Sequence, residues 1–92
     1  LEVRFSPYAT DTLLMIISFI ENKWNTKTAD SFVTKVYDVI DALPQNPYSY
    51  PKTSFQNTRK AVITKQTSVI YKVHEDHIEI LFFWDTRQAP SF

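Results

Sequence analysis

Glycine is missing from all 92 residues, and so is cysteine. About 7 % glycine is usual. With none, the chain cannot build a Gly-rich phosphate loop, a dinucleotide-binding fingerprint or a nucleophile elbow, each of which needs glycine where the backbone turns sharply or approaches a ligand. Without cysteine there is neither a disulfide framework nor a thiolate metal site, a composition that fits a reducing cytosol, and a cytoplasmic location is expected. A charge excess is missing too, since ten Lys and Arg balance ten Asp and Glu. No broad positive field is available to neutralise a run of phosphates, so broad, direct nucleic-acid binding is not expected. The longest apolar run, Leu13 to Ile17 with Phe19 and Ile20 close behind, falls far short of the roughly 20 residues that cross a bilayer. No signal-peptide pattern is visible, and no membrane partner is expected.

What remains is a short, aromatic-rich chain. An apolar share of 43 % with 15 % aromatics is enough for one domain around one modest core. Leu1 to Phe5 alternates apolar and charged residues, the pattern of a half-buried strand. Ser6 followed by Pro7 predicts a helix start, because the hydroxyl takes an orphan amide and proline has no amide to orphan. Ala9, Leu13, Ile16, Ile17, Ile20 and Trp24 then recur at helical spacing. Leu14, Met15 and Phe19 widen this stripe, so the helix is expected to be covered on two sides, by a sheet and by a second helix.

Asn25 is expected to end that helix in a left-handed conformation, with Thr26 capping the next. The second helical face carries Ala29, Phe32, Val33, Val36, Ile40 and Leu43 and stops at Pro44, giving an antiparallel helical hairpin. A long polar connection follows to Thr58, and Tyr48, Tyr50 and Phe55 are expected to pin it to the core. Three strands, 59–63, 68–73 and 77–84, separated by short turns, predict an antiparallel meander. Strict alternation puts Val69, Tyr71 and Val73 on one face of the second. In the third it puts Ile78, Ile80, Phe82 and Trp84 on one face, and Leu81 and Phe83 on the other. The predicted fold class is α+β, order β-α-α-β-β-β, with the helical hairpin on one face of a small, mainly antiparallel sheet.

The chemistry on offer is sparse. His74-Glu75-Asp76-His77 has the composition of a metal site, but a hairpin turn is expected to splay these side chains, and no further nitrogen or sulfur ligand exists elsewhere. Neither a metal nor a cofactor is expected. Lys52, Arg59, Lys60, Lys72 and Arg87 form a local anion-binding patch if the sheet gathers them on the face away from the helices; otherwise they are surface cations snorkelling past aromatic strands. No nucleophile is spaced with a base. RNA cleavage needs none, because the 2′-hydroxyl attacks, and Arg59, Arg87 and a histidine are the groups available for it.

The order of residues as a whole resembles the ParE-like branch of the RelE/ParE toxin superfamily. Ser6-Pro7 with Ala9 opens the first helix and Trp24 closes it; Ala29 and Phe32 lie in the second, with Leu43 and Pro47 after it. Arg59 begins the meander, Tyr71-Lys72-Val73 occupies its middle, and Asp85-x-Arg87-Gln88-x-Pro90 ends the chain. The resemblance implies a plasmid-stabilisation type of toxin from a type II toxin–antitoxin module, with the fold just derived. It also implies a cognate antitoxin whose extended segment covers the end of the last strand and the tail after it, with Phe82, Phe83, Trp84 and Gln88 as the candidate contacts; the cations Lys52, Arg59, Lys60, Lys72 and Arg87, if gathered, are the candidate target or anion-binding face. ParE-like members are associated with inhibition of DNA gyrase, whereas RelE-like members cut mRNA on the ribosome with a strongly basic site. The neutral pI near 6.9 and the lack of a tyrosine after Arg87 lean towards the gyrase-binding, noncatalytic side, with the ribosome-dependent endoribonuclease as the alternative.

Overall fold

Ser6 and Pro7 begin a helix as their chemistry dictates: the Ser6 Oγ accepts from the Ala9 amide at 3.0 Å. The computed structural model describes residues 1–88, so Pro90 of the C-terminal motif lies outside the described residues. In chain order the elements are strand β1 (Glu2–Phe5), helix α1 (Pro7–Lys23), helix α2 (Thr26–Ala42), a 3₁₀ turn (Leu43–Gln45), and strands β2 (Thr58–Val62), β3 (Thr67–Val73) and β4 (His77–Asp85). The sheet order is β1-β4-β3-β2, with β1 parallel to β4 and the other pairs antiparallel. Two helices on a four-stranded mixed sheet are therefore the architecture that the periodicities predicted.

The buried faces of both helices meet one face of the sheet. Ala9, Leu13, Ile16 and Ile20 of α1 and Ala29, Phe32, Val36 and Ile40 of α2 form one cluster with Ala61, Val69, Tyr71, Ile78, Ile80 and Phe83. Each large aliphatic side chain so buried contributes about 1.5–3 kcal/mol, which is what holds a chain of this size together.

One irregularity decides which β4 residues enter this core. Tyr71 pairs with Ile80 but Ile70 pairs with Phe82, so Leu81 is an extra residue on β4. Such a bulge shifts the side-chain parity. Ile78 and Ile80 are buried before it, and Phe83 and Asp85 after it, whereas Phe82 and Trp84 are only half-buried on the outer face. Strict alternation had put Phe82 and Trp84 with Ile78 and Ile80, and the bulge corrects that.

The bulge coincides with the end of β1, which pairs with β4 only as far as Phe5 opposite Ile80. Beyond it, α1 takes over the free strand edge. The Ser6 amide donates to the Ile80 carbonyl at 2.9 Å, the Ser6 hydroxyl donates to the Leu81 carbonyl at 2.9 Å, and the Phe83 amide donates to Thr12 Oγ1 at 2.9 Å. A sheet edge is thus satisfied by one amide and two hydroxyls of a helix start, as buried backbone groups require.

Several local expectations are corrected. Asn25 is not left-handed: it is extended, with φ −170°, and its side chain accepts from the Thr28 amide as the N-cap of α2, so Thr26 is already inside the helix. Among the described residues the left-handed non-glycine position is instead Asn57, at φ 55°, in the turn before β2; asparagine tolerates that conformation better than most side chains. Leu14 and Met15 are not covered, being 57 % and 62 % exposed. Of the three aromatics expected to pin the long loop, only Tyr50 packs on the core, edge-on to Tyr71, while Tyr48 and Phe55 are exposed. The loop is held mainly by polar contacts: Arg59 Nη1 donates to the carbonyls of Tyr48 and Tyr50 at 2.9 and 2.7 Å, and the Tyr71 hydroxyl donates to the Pro47 carbonyl at 2.7 Å.

Candidate functional site

The C-terminal end of β4 carries a polar knot in an otherwise apolar setting. Asp85 is 4 % exposed, and its carboxylate accepts from Thr67 Oγ1 at 2.6 Å and from the Arg87 amide at 2.8 Å, as well as from the Arg87 guanidinium. Burial alone would push this carboxyl up, but the donors of Arg87 and Thr67 outweigh it and hold it below the ordinary aspartate value. The same contact raises Arg87 above the ordinary arginine value.

Held this way, the Arg87 guanidinium lies 5.4 Å from the Phe19 ring and 5.6 Å from the Trp24 ring. Those two rings meet edge to face at 6.2 Å. Lys23 approaches the same rings at 5.8 and 5.5 Å. Two cations around two aromatic rings form a ridge, with each contact worth about 0.5–1 kcal/mol where solvent reaches it.

Beside the ridge runs an open groove of about 680 Å³, lined by Leu14, Ser18 and Asn22, by Met15, Phe19 and Lys23, and by Gln88. The first three and the next three are two adjacent stripes of α1 at a spacing of four. Leu14 and Met15 make its floor apolar. An apolar helix face this exposed, next to the end of the sheet, is the kind of surface that a second protein covers.

The five candidate cations are not brought together. Arg59 lies opposite Tyr71, on the helix-facing side, and is committed to the loop carbonyls. Lys52 lies in that loop, its backbone paired antiparallel with that of Arg59. Lys60, opposite Ile70, and Lys72, opposite Thr58 and Glu79, lie on the outer face. Arg87 sits at the far end of β4 against α1. The fold thus divides the patch that spacing had allowed among three places.

The four apolar and polar candidates at the chain end also separate. Phe83 is 3 % exposed, in ring contact with Phe5 at 5.9 Å; as a core residue it is withdrawn from the candidate contact surface. Phe82 packs on Tyr8 on the outer face, and Trp84 is half-buried there. Gln88 lines the groove. Leu14 and Met15 were missed because their helical spacing signals only an apolar face, and nothing in a single sequence distinguishes a face covered by the fold from one left open.

The two histidines do not splay. Their rings stack at 4.5 Å and 11°, His74 Nε2 lies 2.8 Å from Glu79 Oε1 and His77 Nδ1 2.7 Å from Asp76 Oδ1. The bond from His77 holds Asp76 below the ordinary aspartate value. Each imidazole thus has its own carboxylate, and among the described residues no three His, Asp or Glu side chains are arranged to hold a metal ion. No helix among the described residues is long and apolar enough to cross a membrane.

Comparison with known proteins agrees with this fold. No curated protein sequence matches the chain. Among solved structures, it is similar to a chain of the chromosomal ParDE toxin–antitoxin system from P. aeruginosa, with a TM-score of 0.82 at 15 % identity over 92 % of this chain and 95 % of that one. A YoeB/ParE toxin from Agrobacterium tumefaciens gives 0.67 at 15 % identity over 92 % and 98 %. A chain of the E. coli DinJ-YafQ complex gives 0.61 at 12 % identity over 94 % and 93 %. At such identities the likeness is one of fold. The family model describing the ParE toxin of the type II toxin–antitoxin system parDE matches residues 3–90, and with nearly the whole sequence so matched, the chain belongs to the ParE toxin family.

Proposed function

We propose that this toxin acts by binding rather than by cutting: it inhibits a cellular target, DNA gyrase, and is held inactive by a cognate antitoxin that covers the groove along α1. The observation that carries the noncatalytic half is the commitment of both arginines that RNA cleavage would call upon. Arg59 donates to the Tyr48 and Tyr50 carbonyls, and Arg87 to Asp85. A cation spent on the fold's own acceptors is poorly placed to stabilise a pentacoordinate phosphate, which needs donors aimed at the developing charge. Each histidine likewise has a carboxylate of its own.

Two features support the antitoxin half. The groove exposes Leu14 and Met15 beside Lys23 and Gln88, an apolar floor with a cationic rim that suits an amphipathic segment carrying an acidic side chain. The P. aeruginosa relative comes from a ParDE system and the E. coli relative from a DinJ-YafQ complex, so a bound antitoxin is the expected state of this chain too.

The test is a pair of assays on the purified chain, gyrase supercoiling and translation-dependent mRNA cleavage. Inhibition of supercoiling, relieved by added antitoxin, with intact mRNA is the expected result. Cleavage without an effect on gyrase would replace this reading with the endoribonuclease.

A further inference from the structure

On the other side of the Arg87 ridge, away from the groove on α1, a second and smaller cleft opens between the first half of α2 and the β2–β3 turn. Its volume is about 180 Å³, below the range of pockets that enclose a whole cofactor or drug-sized ligand, so it is sized for one functional group. We infer that this cleft binds a phosphate group, either free or carried on a small organic monoester.

The argument rests on what lines it. Ser31 and Lys35 project from α2, Thr64 and Gln66 from the β2–β3 turn, and Arg87 from the end of β4. The side chains of Ser31 and Lys35 make no hydrogen bond or ion pair with any described residue. Thr64 Oγ1 accepts from the amides of Gln66 and Thr67, at 3.2 and 3.1 Å, so its own O–H is left to donate. Arg87 spends Nε and Nη2 on Asp85, leaving Nη1. Thr28 also lines the cleft, but its hydroxyl is taken up by Asn25 Oδ1 at 2.9 Å.

The cleft therefore collects hydrogen-bond donors from three separate elements, and no carboxylate lines it. Asp85 already balances Arg87, so the charge of Lys35 stands uncompensated. Donors arriving from several directions around one space match a tetrahedral oxyanion better than a planar carboxylate, and Lys35 supplies the positive charge that a phosphate needs. Ile20, Phe32 and Trp24 supply an apolar wall, against which the carbon part of a monoester can lie. This inference is independent of the toxin's target and of its antitoxin.

The experiment is an amide NMR titration of the isolated chain at constant ionic strength, set by sodium chloride, with sodium phosphate, ribose 5-phosphate and sodium acetate in turn. Saturable shifts centred on Ser31, Lys35, Thr64 and Gln66 with either phosphate are expected. Tighter binding of ribose 5-phosphate than of phosphate identifies a monoester as the ligand form; equal binding identifies free phosphate. Lys35→Gln should weaken binding about tenfold, the loss of one charge-assisted hydrogen bond, and Ser31→Ala should weaken it less, while both variants melt with the parent because these side chains hold nothing else. Shifts that never saturate, shifts reproduced by chloride alone, acetate binding as tightly as phosphate, or unchanged binding in both variants would each overturn the inference.

Discussion

Arg87 grips Asp85 with two parallel contacts, Nε to Oδ1 at 3.0 Å and Nη2 to Oδ2 at 2.6 Å, across a spacing of only two residues. The carboxylate is buried and the guanidinium lies against Phe19 and Trp24, so this pair joins the last strand to the end of α1. Arg87→Ala leaves a buried carboxylate with Thr67 as its remaining side-chain donor, and the expected cost at neutral pH is about 3–5 kcal/mol. Because the folded pKa of Asp85 is depressed, its contribution is fully present above the unfolded value of 3.8 and is lost as pH falls through the lower folded value. Urea unfolding of parent and variant at neutral pH and at about pH 2 should show a gap that narrows in acid. A gap that persists unchanged in acid would mean that Arg87 acts through its aromatic packing instead.

Arg59 serves the long loop. Replacing it by Ala removes the donor of two loop carbonyls, and the loop over residues 46–57 should exchange its amides faster while the rest of the sheet keeps its protection. The expected cost to the loop's local stability is about 1.5–3 kcal/mol, typical of hydrogen bonds from a charged donor. Arg59→Lys should recover only part of this, because a single ammonium does not reproduce the fixed guanidinium geometry. Hydrogen exchange on the two variants decides it, and uniform loss of protection across the sheet would count against a local role.

Ser6 does two jobs with one hydroxyl, capping α1 and donating to the Leu81 carbonyl at the bulge. Ser6→Ala should therefore cost more than the roughly 1 kcal/mol of an ordinary cap, about 2 kcal/mol in a denaturant melt. A loss of a few tenths would show that the bulge carbonyl finds another donor.

Tyr71 is buried in the core, with its hydroxyl on the Pro47 carbonyl. Burial, partly offset by Arg59 and reinforced by Tyr50, pushes its pKa from 10.0 up to about 12. The neutral form is thus favoured in the folded chain. Its contribution is fully present below pH 10 and is lost as pH rises through about 12. Tyr71→Phe should be less stable than the parent at neutral pH, by about 1 kcal/mol for the hydrogen bond, and should lack the parent's extra loss of stability in that alkaline window. Identical alkaline profiles for the two proteins would contradict this.

Much of this architecture was written locally. The Ser6-Pro7 start, the two helical stripes, the stop at Pro44 and the three strands of the meander are each short-range signals, and the sheet follows from them. What escaped is non-local. The bulge at Leu81 reflects the point where β1 ends and α1 must satisfy the β4 edge, so Phe82 and Phe83 exchange the roles that alternation gave them. Asn25 has the chemistry of either a left-handed C-terminal residue or an N-cap, and only the two-residue break between the helices makes it the latter. The cations that spacing could gather are separated by the sheet register, and Arg59 and Arg87 find acceptors far from, or just beside, themselves in ways a linear reading does not rank. Leu14 and Met15 read as core because helical periodicity reports apolarity and not cover.

Those two side chains also offer the most direct test. Leu14 and Met15 are 57 % and 62 % exposed, so Leu14→Glu with Met15→Glu should change the stability of the free chain by no more than about 0.5 kcal/mol per site. The affinity of this double variant for the cognate antitoxin, measured by calorimetry beside the parent, is the decisive number. A fall of at least about a hundredfold, close to 3 kcal/mol, is predicted if the antitoxin covers the groove along α1. An unchanged affinity in a variant that melts like the parent would contradict that claim.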